Sequence, residues 1–199
     1  MSTASRPSRV TTHGTAATTC CSSRAANRSS IPTGPTSGSS TRRCPSSERG
    51  SSRSSAPVIE GCARAGFDAV EFDNLDTWTR FDAIDPEGAQ ALAQEYAVRA
   101  HEVGLAAAQK NAVEVAATAR AELGFDFAVV EECAAWAECA AYAEAYGDSV
   151  LQIEYPDVLA EAGLTFADVC AAEDRAPLTI LRDRALAPHD EPGALYRRC

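Results

Sequence analysis

The sequence predicts an α/β fold built on a parallel sheet over residues 56–199, preceded by a segment of different kind. Three observations carry this. Five strand-length runs follow a glycine or proline: FDAVEFD after Gly66, LAAAQKN after Gly104, FDFAVVEE after Gly124, DSVLQIEY after Gly147 and LTILRD after Pro177. Helical patterns lie between most of them. The composition also changes abruptly near residue 55. Strands alternating with helices imply a parallel sheet, either doubly wound or a (β/α) barrel, and in both the ligand lies at the carboxyl ends of the strands.

Residues 1–55 hold 16 Ser, 9 Thr and 8 Arg, with no Phe, Trp or Tyr and Glu48 as their one acid. Such text lacks the apolar side chains that offset an ordering cost of roughly 1–2 kcal/mol per residue, so disorder is expected. It has no continuous apolar core of a signal peptide, and its length, Pro and Gly do not suit a transit peptide. A basic arm for nucleic acid would be the third class of function. The arginines are scattered singly without aromatic platforms, so no nucleic-acid partner is expected. No run of about 18 apolar residues marks a membrane span.

The first helix of the folded part is PVIEGCARA, ending at the C-cap Gly66. The next opens at Asp85-Pro86-Glu87, with Asp as N-cap and Pro at the first helical position. It places Ala91, Leu92, Tyr96, Ala100 and Val103 near one face. Val113–Leu123 and Ala134–Tyr146 are expected as further helices, and Leu164–Asp168 opens a short last one. LAAAQK is the weakest strand, since alanine favours helix. Neither GxGxxG nor GxxxxGK[ST] is present, which counts against a nucleotide site.

Eight cysteines lie at 20, 21, 44, 62, 133, 139, 170 and 199, with no CxxC pair, so no metal site is expected. Cys133 and Cys139 are six apart across a predicted loop; a local disulfide and two reduced buried thiols are both open.

Gly-Phe-Asp followed by an apolar run and carboxylates is written twice, in GFDAVEFDN (66–74) and GFDFAVVEE (124–132). Aligning the copies sets Asp73 opposite Glu131 and Asn74 opposite Glu132. Strand alternation puts Glu71 and Asp73 on one face, and Gln152 and Glu154 on one face. Two carboxyls at a common cleft suit glycoside hydrolysis, one protonating the leaving oxygen, the other attacking or activating water. The competing explanation is that such acids cap the following helices. Lys110 is the chain's one lysine and sits beside Asn111 at a strand end. Trp78 and Trp136 follow the acidic loops, where a sugar face could stack, although Trp136 also fits a helix core. His101 and His189 receive no catalytic role.

GFDAVEFDNLD, GLAAAQKN, FDFAVVEEC with a second Cys six residues on, and VLQIEYP together resemble glycoside hydrolase family 114. This is the endo-α-1,4-polygalactosaminidase family, a TIM-barrel group. The likeness covers roughly residues 56–185. It implies a partial TIM barrel of about five strands, no cofactor, and cleavage of α-1,4-linked galactosamine polymers. By position, Asp73 and Glu131 would be the catalytic carboxylates, with Asp73 as nucleophile or base and Glu131 as acid. Asn74, Asp76, Lys110, Asn111, Glu132, Glu154 and Tyr155 would line the sugar site. The net charge of −10 with about +7 on residues 1–55 leaves about −17 on residues 56–199, which suits a cationic polymer. Val130 stands where the family pattern has Asn, which should weaken a hydrogen bond beside the acid. The resemblance implies secretion, though no signal peptide is legible, and a monomer when folded.

A full (β/α)₈ barrel takes about 250 residues, and the family's first three strands find no counterpart in the residue patterns. Residues 1–55 are therefore expected to be either out-of-frame text joined to a genuine C-terminal half or a disordered leader. The alternative to an active enzyme is an inactive fragment or sugar-binding remnant.

Overall fold

The computed structural model describes residues 10–13 and 45–199, with side chains from residue 55. Along these the elements are β1 (Val10–His13), α1 (Pro45–Arg64), β2 (Ala69–Phe72), α2 (Pro86–Glu102), β3 (Ala106–Lys110), α3 (Ala116–Thr118), β4 (Phe127–Glu131), α4 (Cys133–Trp136), α5 (Cys139–Tyr146), β5 (Val150–Glu154), α6 (Pro156–Glu161), α7 (Phe166–Ala171), β6 (Leu178–Arg182) and β7 (Tyr196–Arg198). The strands form one sheet in chain order, β1 to β7, with β1 to β6 parallel and β7 antiparallel. The sheet is not closed. No described helix is long and apolar enough to cross a membrane.

All five strands expected from sequence are present. β3 is a strand despite its alanines because it lies between β2 and β4, where Ala107 and Ala108 are fully buried. Tertiary pairing overrides alanine's helical preference there. The expected boundary at residue 55 falls inside α1, which begins at Pro45, and the β-branched VTT of β1 pairs with β2. Most of the segment expected to be disordered, or out of frame, lies outside the described residues.

One face of the sheet carries the helices. Val70, Phe72, Ala107, Ala128, Val130 and Val150 point into a core shared with Leu92, Tyr96, Ala97, Leu123 and Tyr142. Phe72 stacks on Tyr96 at 5.2 Å and meets the edge of Phe125 at 6.2 Å, joining β2, α2 and the entry to β4. A smaller cluster of Leu159, Phe166, Val169 and Leu181 seats α6 and α7 against β6.

α2 starts as expected: the Asp85 carboxylate accepts the Gly88 N–H at 3.0 Å and Pro86 occupies the first turn. Its buried stripe is Leu92, Ala93, Tyr96, Ala97 and Ala100; Ala91 and Val103 lie outside it and are exposed. Asp85→Ala should cost about 1 kcal/mol in urea unfolding, because one N-terminal amide loses its acceptor.

Two helices differ from expectation. Val113–Leu123 is a 3₁₀ turn, a short α-turn and a π-helical turn in succession. Ala134–Tyr146 is broken in two at Ala137, which has φ 58°. The cause is the Cys133–Cys139 disulfide, whose Cα atoms are 4.9 Å apart. In a straight helix, residues six apart are separated by about 9 Å along the axis, beyond disulfide reach. The chain must therefore turn back between them. A second disulfide links Cys170 to Cys199.

Candidate active site

Because Val70, Phe72 and Val130 face the helices, strand alternation sends Glu71, Asp73, Lys110 and Glu131 to the opposite face, at or beyond the carboxyl ends of β2, β3 and β4. Just beyond the end of each of these three strands lies a residue with left-handed backbone: Asn74 (φ 59°), Asn111 (φ 46°) and Glu132 (φ 65°). Asn tolerates this conformation; for Glu it costs roughly 1 kcal/mol, and such strain concentrates where a loop must turn a side chain toward a ligand.

Glu131 is the most constrained of the acids. The Lys110 ammonium donates to its Oε2, and the Tyr155 hydroxyl donates to its Oε1 at 2.5 Å. Its backbone N–H donates to Asn111 Oδ1 at 2.7 Å. Burial pushes the carboxyl upward, but the bonds from Lys110 and Tyr155 outweigh it and hold Glu131 below the usual carboxylate range. The Tyr155 phenol is raised in turn, first by burial and then by its bond to Glu131.

Asp73 is oriented by its neighbour. Its two oxygens accept the Asn74 N–H at 2.8 Å and the Asn74 side-chain amide at 3.3 Å. Asn74 Oδ1 and Asp76 both accept from Arg80, at 3.1 and 2.9 Å, so Asn74 and Asp76 form an outer rim beside Asp73. Glu132 also lies on the rim. It accepts from Arg184 at 2.7 Å and from the indole N–H of Trp136 at 3.3 Å. Trp136 is 65% exposed, which sets aside the helix-core alternative. Trp78 packs partly buried against the core.

Of the residues expected from sequence, Asp73, Lys110, Asn111, Glu131 and Tyr155 form a connected group or stand on its face. Glu154 does not join them. It is fully buried on the other face of β5, because alternation opposes it to Tyr155. There Oε1 accepts the Ala134 N–H at 3.0 Å and the Gln152 amide at 2.8 Å, and burial raises its carboxyl. Val130 also faces the helix core, so its departure from the family pattern removes no hydrogen bond from the Glu131 side chain.

Two residues were not among those expected to line the site. Glu71 shares a face with Asp73, and that alternation was the available signal. It is 3% exposed and its carboxyl is raised to about 7, chiefly by burial, with Lys110 lowering it and Asp73 and Glu131 raising it. Arg184 left no local signal. It pairs with Asp157 at 2.6 Å, lies over the Tyr155 ring at 4.7 Å and reaches Glu132 across 52 positions of sequence.

Glu71 has a consequence for stability. The unfolded chain releases this proton near the ordinary glutamate value of 4.5, the folded chain only near 7. Between these limits the folded state binds more protons, so stability falls as pH rises. Glu71→Gln removes that slope. Relative to the parent, it should gain on the order of 3 kcal/mol between pH 4 and pH 8 in urea unfolding. Parallel pH profiles for the two chains would refute this.

The arrangement can stabilise a carboxylate on the same sheet face as a second, oriented carboxyl, at the carboxyl ends of parallel strands. The profile of the glycoside-hydrolase family GH114 matches residues 47–199. Among solved structures, the chain is similar to Aspergillus fumigatus Ega3 in complex with galactosamine, at 19% identity and TM-score 0.59, over 75% of this chain and 61% of that one. It therefore spans under two thirds of that protein's length. The glycoside hydrolase domain of PelA from Pseudomonas aeruginosa is similar at 17% identity and TM-score 0.49, over 96% of this chain and 81% of that one. No curated protein matches. The family match over three quarters of the sequence means that this chain belongs to glycoside hydrolase family GH114.

Proposed function

We propose that the chain cleaves α-1,4-linked galactosamine polymers, with Asp73 and Glu131 as the reacting carboxyl groups. The observation that carries this is the Glu131 carboxylate, held between Lys110 and Tyr155 on the sheet face that also bears Asp73. Two acids so placed supply both the proton and the nucleophile or base that glycoside hydrolysis requires. Ega3 was solved with galactosamine, which supports an amino sugar as substrate. The acidic balance of residues 56–199 attracts a cationic polymer. Asn74, Asp76, Asn111 and Glu132 stand along the rim where sugar hydroxyls and ammonium groups would be bound, and exposed Trp136 offers a stacking face. Two disulfides fit an oxidising compartment and hence secretion.

The roles divide by protonation. In the resting chain Glu131 is ionised, as suits a nucleophile or base; acting as the acid requires that the bound sugar first loosen its pair with Lys110. Asp73, with Asn74 bonded to both its oxygens, is the other partner.

A second reading is an inactive sugar-binding remnant. One observation favours it: the sheet is not closed, because among the described residues β1 and β7 are edge strands that do not pair with each other. Incubating the purified chain with de-N-acetylated α-1,4-galactosaminan and counting new reducing ends separates the two. Release of oligosaccharides supports the hydrolase. Retention of the polymer without new ends supports the remnant.

A further inference from the structure

Behind the active face, on the helix side of β5, the two cysteines of the Cys133–Cys139 disulfide lie with Glu154 in one buried group. The two Sγ atoms and one carboxylate oxygen of Glu154 all lie within 4.8 Å of one another. We propose that, once this disulfide is reduced, Cys133, Cys139 and Glu154 form a binding site for a thiophilic divalent cation such as Zn²⁺.

The donors are suited to it. Cysteine thiolates and a carboxylate are each zinc ligands, and bond lengths of about 2.3 and 2.0–2.2 Å put donor atoms about 3.5–3.8 Å apart around a tetrahedral ion. Reaching that spacing takes ångström-scale side-chain rotation. Glu154 is fully buried, and its Oε2 has no hydrogen-bond partner, which is an unusual state for a carboxylate oxygen in a protein interior. Its other oxygen is fixed by the Ala134 N–H and the Gln152 amide. Gln152 Nε2 also lies 3.4 Å from Cys139 Sγ, in position to donate to a thiolate. Outer partners of this kind orient metal ligands and tune their affinity.

The fourth position has a source. Cys133, Cys139 and Gln152 line a cavity of about 220 Å³, large enough for a coordinating water. Asp148, Glu173 and Asp174 stand on its wall, where their charge favours entry of a cation. The one basic residue of the wall, Arg175, is engaged with the backbone carbonyls of Cys170 and Ala176.

The chemistry balances with a dithiol reductant. It supplies two electrons and two protons, breaks the Cys133–Cys139 S–S bond, and is itself oxidised to a disulfide. Metal entry then displaces two thiol protons to solvent. A disulfide oxidant reverses this: it takes two electrons from the two thiolates and two protons from solvent, is reduced to thiols, re-forms the Cys133–Cys139 S–S bond and so releases the metal. Because Cys133 follows Glu131 by two positions, either closure, covalent or metallic, holds the loop that carries the site acid.

The test uses the full chain and Co²⁺ as a visible stand-in for Zn²⁺. After reduction and removal of the reductant under anaerobic conditions, the chain should take one equivalent with thiolate-to-cobalt charge-transfer absorption, discharged by Zn²⁺. The oxidised chain should take none. Cys133→Ser/Cys139→Ser should lose that equivalent. Glu154→Gln keeps the side-chain volume and the acceptor at Oε1, and should weaken it at least about tenfold. Alkylation of the reduced parent chain with and without Zn²⁺, mapped by mass spectrometry, reads the same site without mutation. Protection of Cys133 and Cys139 is expected. The proposal is overturned if the reduced chain binds no Co²⁺, if the serine variant binds it equally, or if the protected thiols are others among the eight cysteines. None of these outcomes depends on sugar cleavage.

Discussion

Glu131→Gln and Asp73→Asn are each expected to lower galactosaminan cleavage by about 100- to 10,000-fold, the range that a positioned acid or base contributes. Both changes are isosteric. The Glu131 variant can still accept the Tyr155 hydroxyl at one atom, but it loses the charge that pairs with Lys110. Its fold should therefore survive, while the sheet face gains a lone buried cation. The two variants also separate the roles. A proton donor matters less when the leaving group is already good, so the acid variant should recover much of its rate on an aryl galactosaminide. The nucleophile or base variant should not. If the Glu131 variant recovers, Lys110 must release it on substrate binding. If the Asp73 variant recovers instead, the ionised state of Glu131 in the resting chain is its working state. Unchanged cleavage by either variant would remove that residue from the mechanism.

The largest stability effect is expected at the other end of the chain. Cys170→Ala/Cys199→Ala should cost roughly 3–4 kcal/mol, from the loop closure that this bridge imposes on the unfolded chain. Its cysteines are 29 positions apart, against six for Cys133 and Cys139. The native side of the argument points the same way. β7 is a three-residue antiparallel edge strand whose side chains are all exposed. Apart from its ladder to β6, it is held by the stacking of Arg197 on Phe166 at 5.5 Å and by the disulfide to α7. Without the bridge, hydrogen exchange should rise first in β7 and along its pairing with β6. Urea unfolding that moves by less than 1 kcal/mol would show that β7 contributes nothing to the cooperative unit.

How much of this was legible beforehand depends on the range of the forces involved. The five strands were readable because each is a short apolar run closed off by a glycine or proline, a signal contained within about ten residues. The start of α2 was readable because an N-cap is a local hydrogen bond, from Asp85 to Gly88. The carboxylates at the strand ends were readable because alternation in a strand has a period of two.

Alternation alone could not say which face was which. Gln152 and Glu154 do share a face, but packing of Val150 into the helix core makes it the buried one, and for that reason Glu154 lies away from the face that bears Glu131. The same limit applied in reverse to Glu71: its face was known, while its burial, and so its raised carboxyl, awaited the neighbours that exclude water from it. The break within Ala134–Tyr146 needed the disulfide, since its residues taken singly favour helix.

The order of the elements and the chemical types delivered to each strand end are thus written locally, because both follow from interactions between near neighbours. Which acids meet which donors is set instead by long-range packing. Lys110 reaches Glu131 across 21 positions, Tyr155 across 24, and Arg184 reaches Glu132 across 52. Contacts at such separations depend on strand register and on which face the helices cover, and these arise from burying apolar surface over the whole sheet rather than from any one segment.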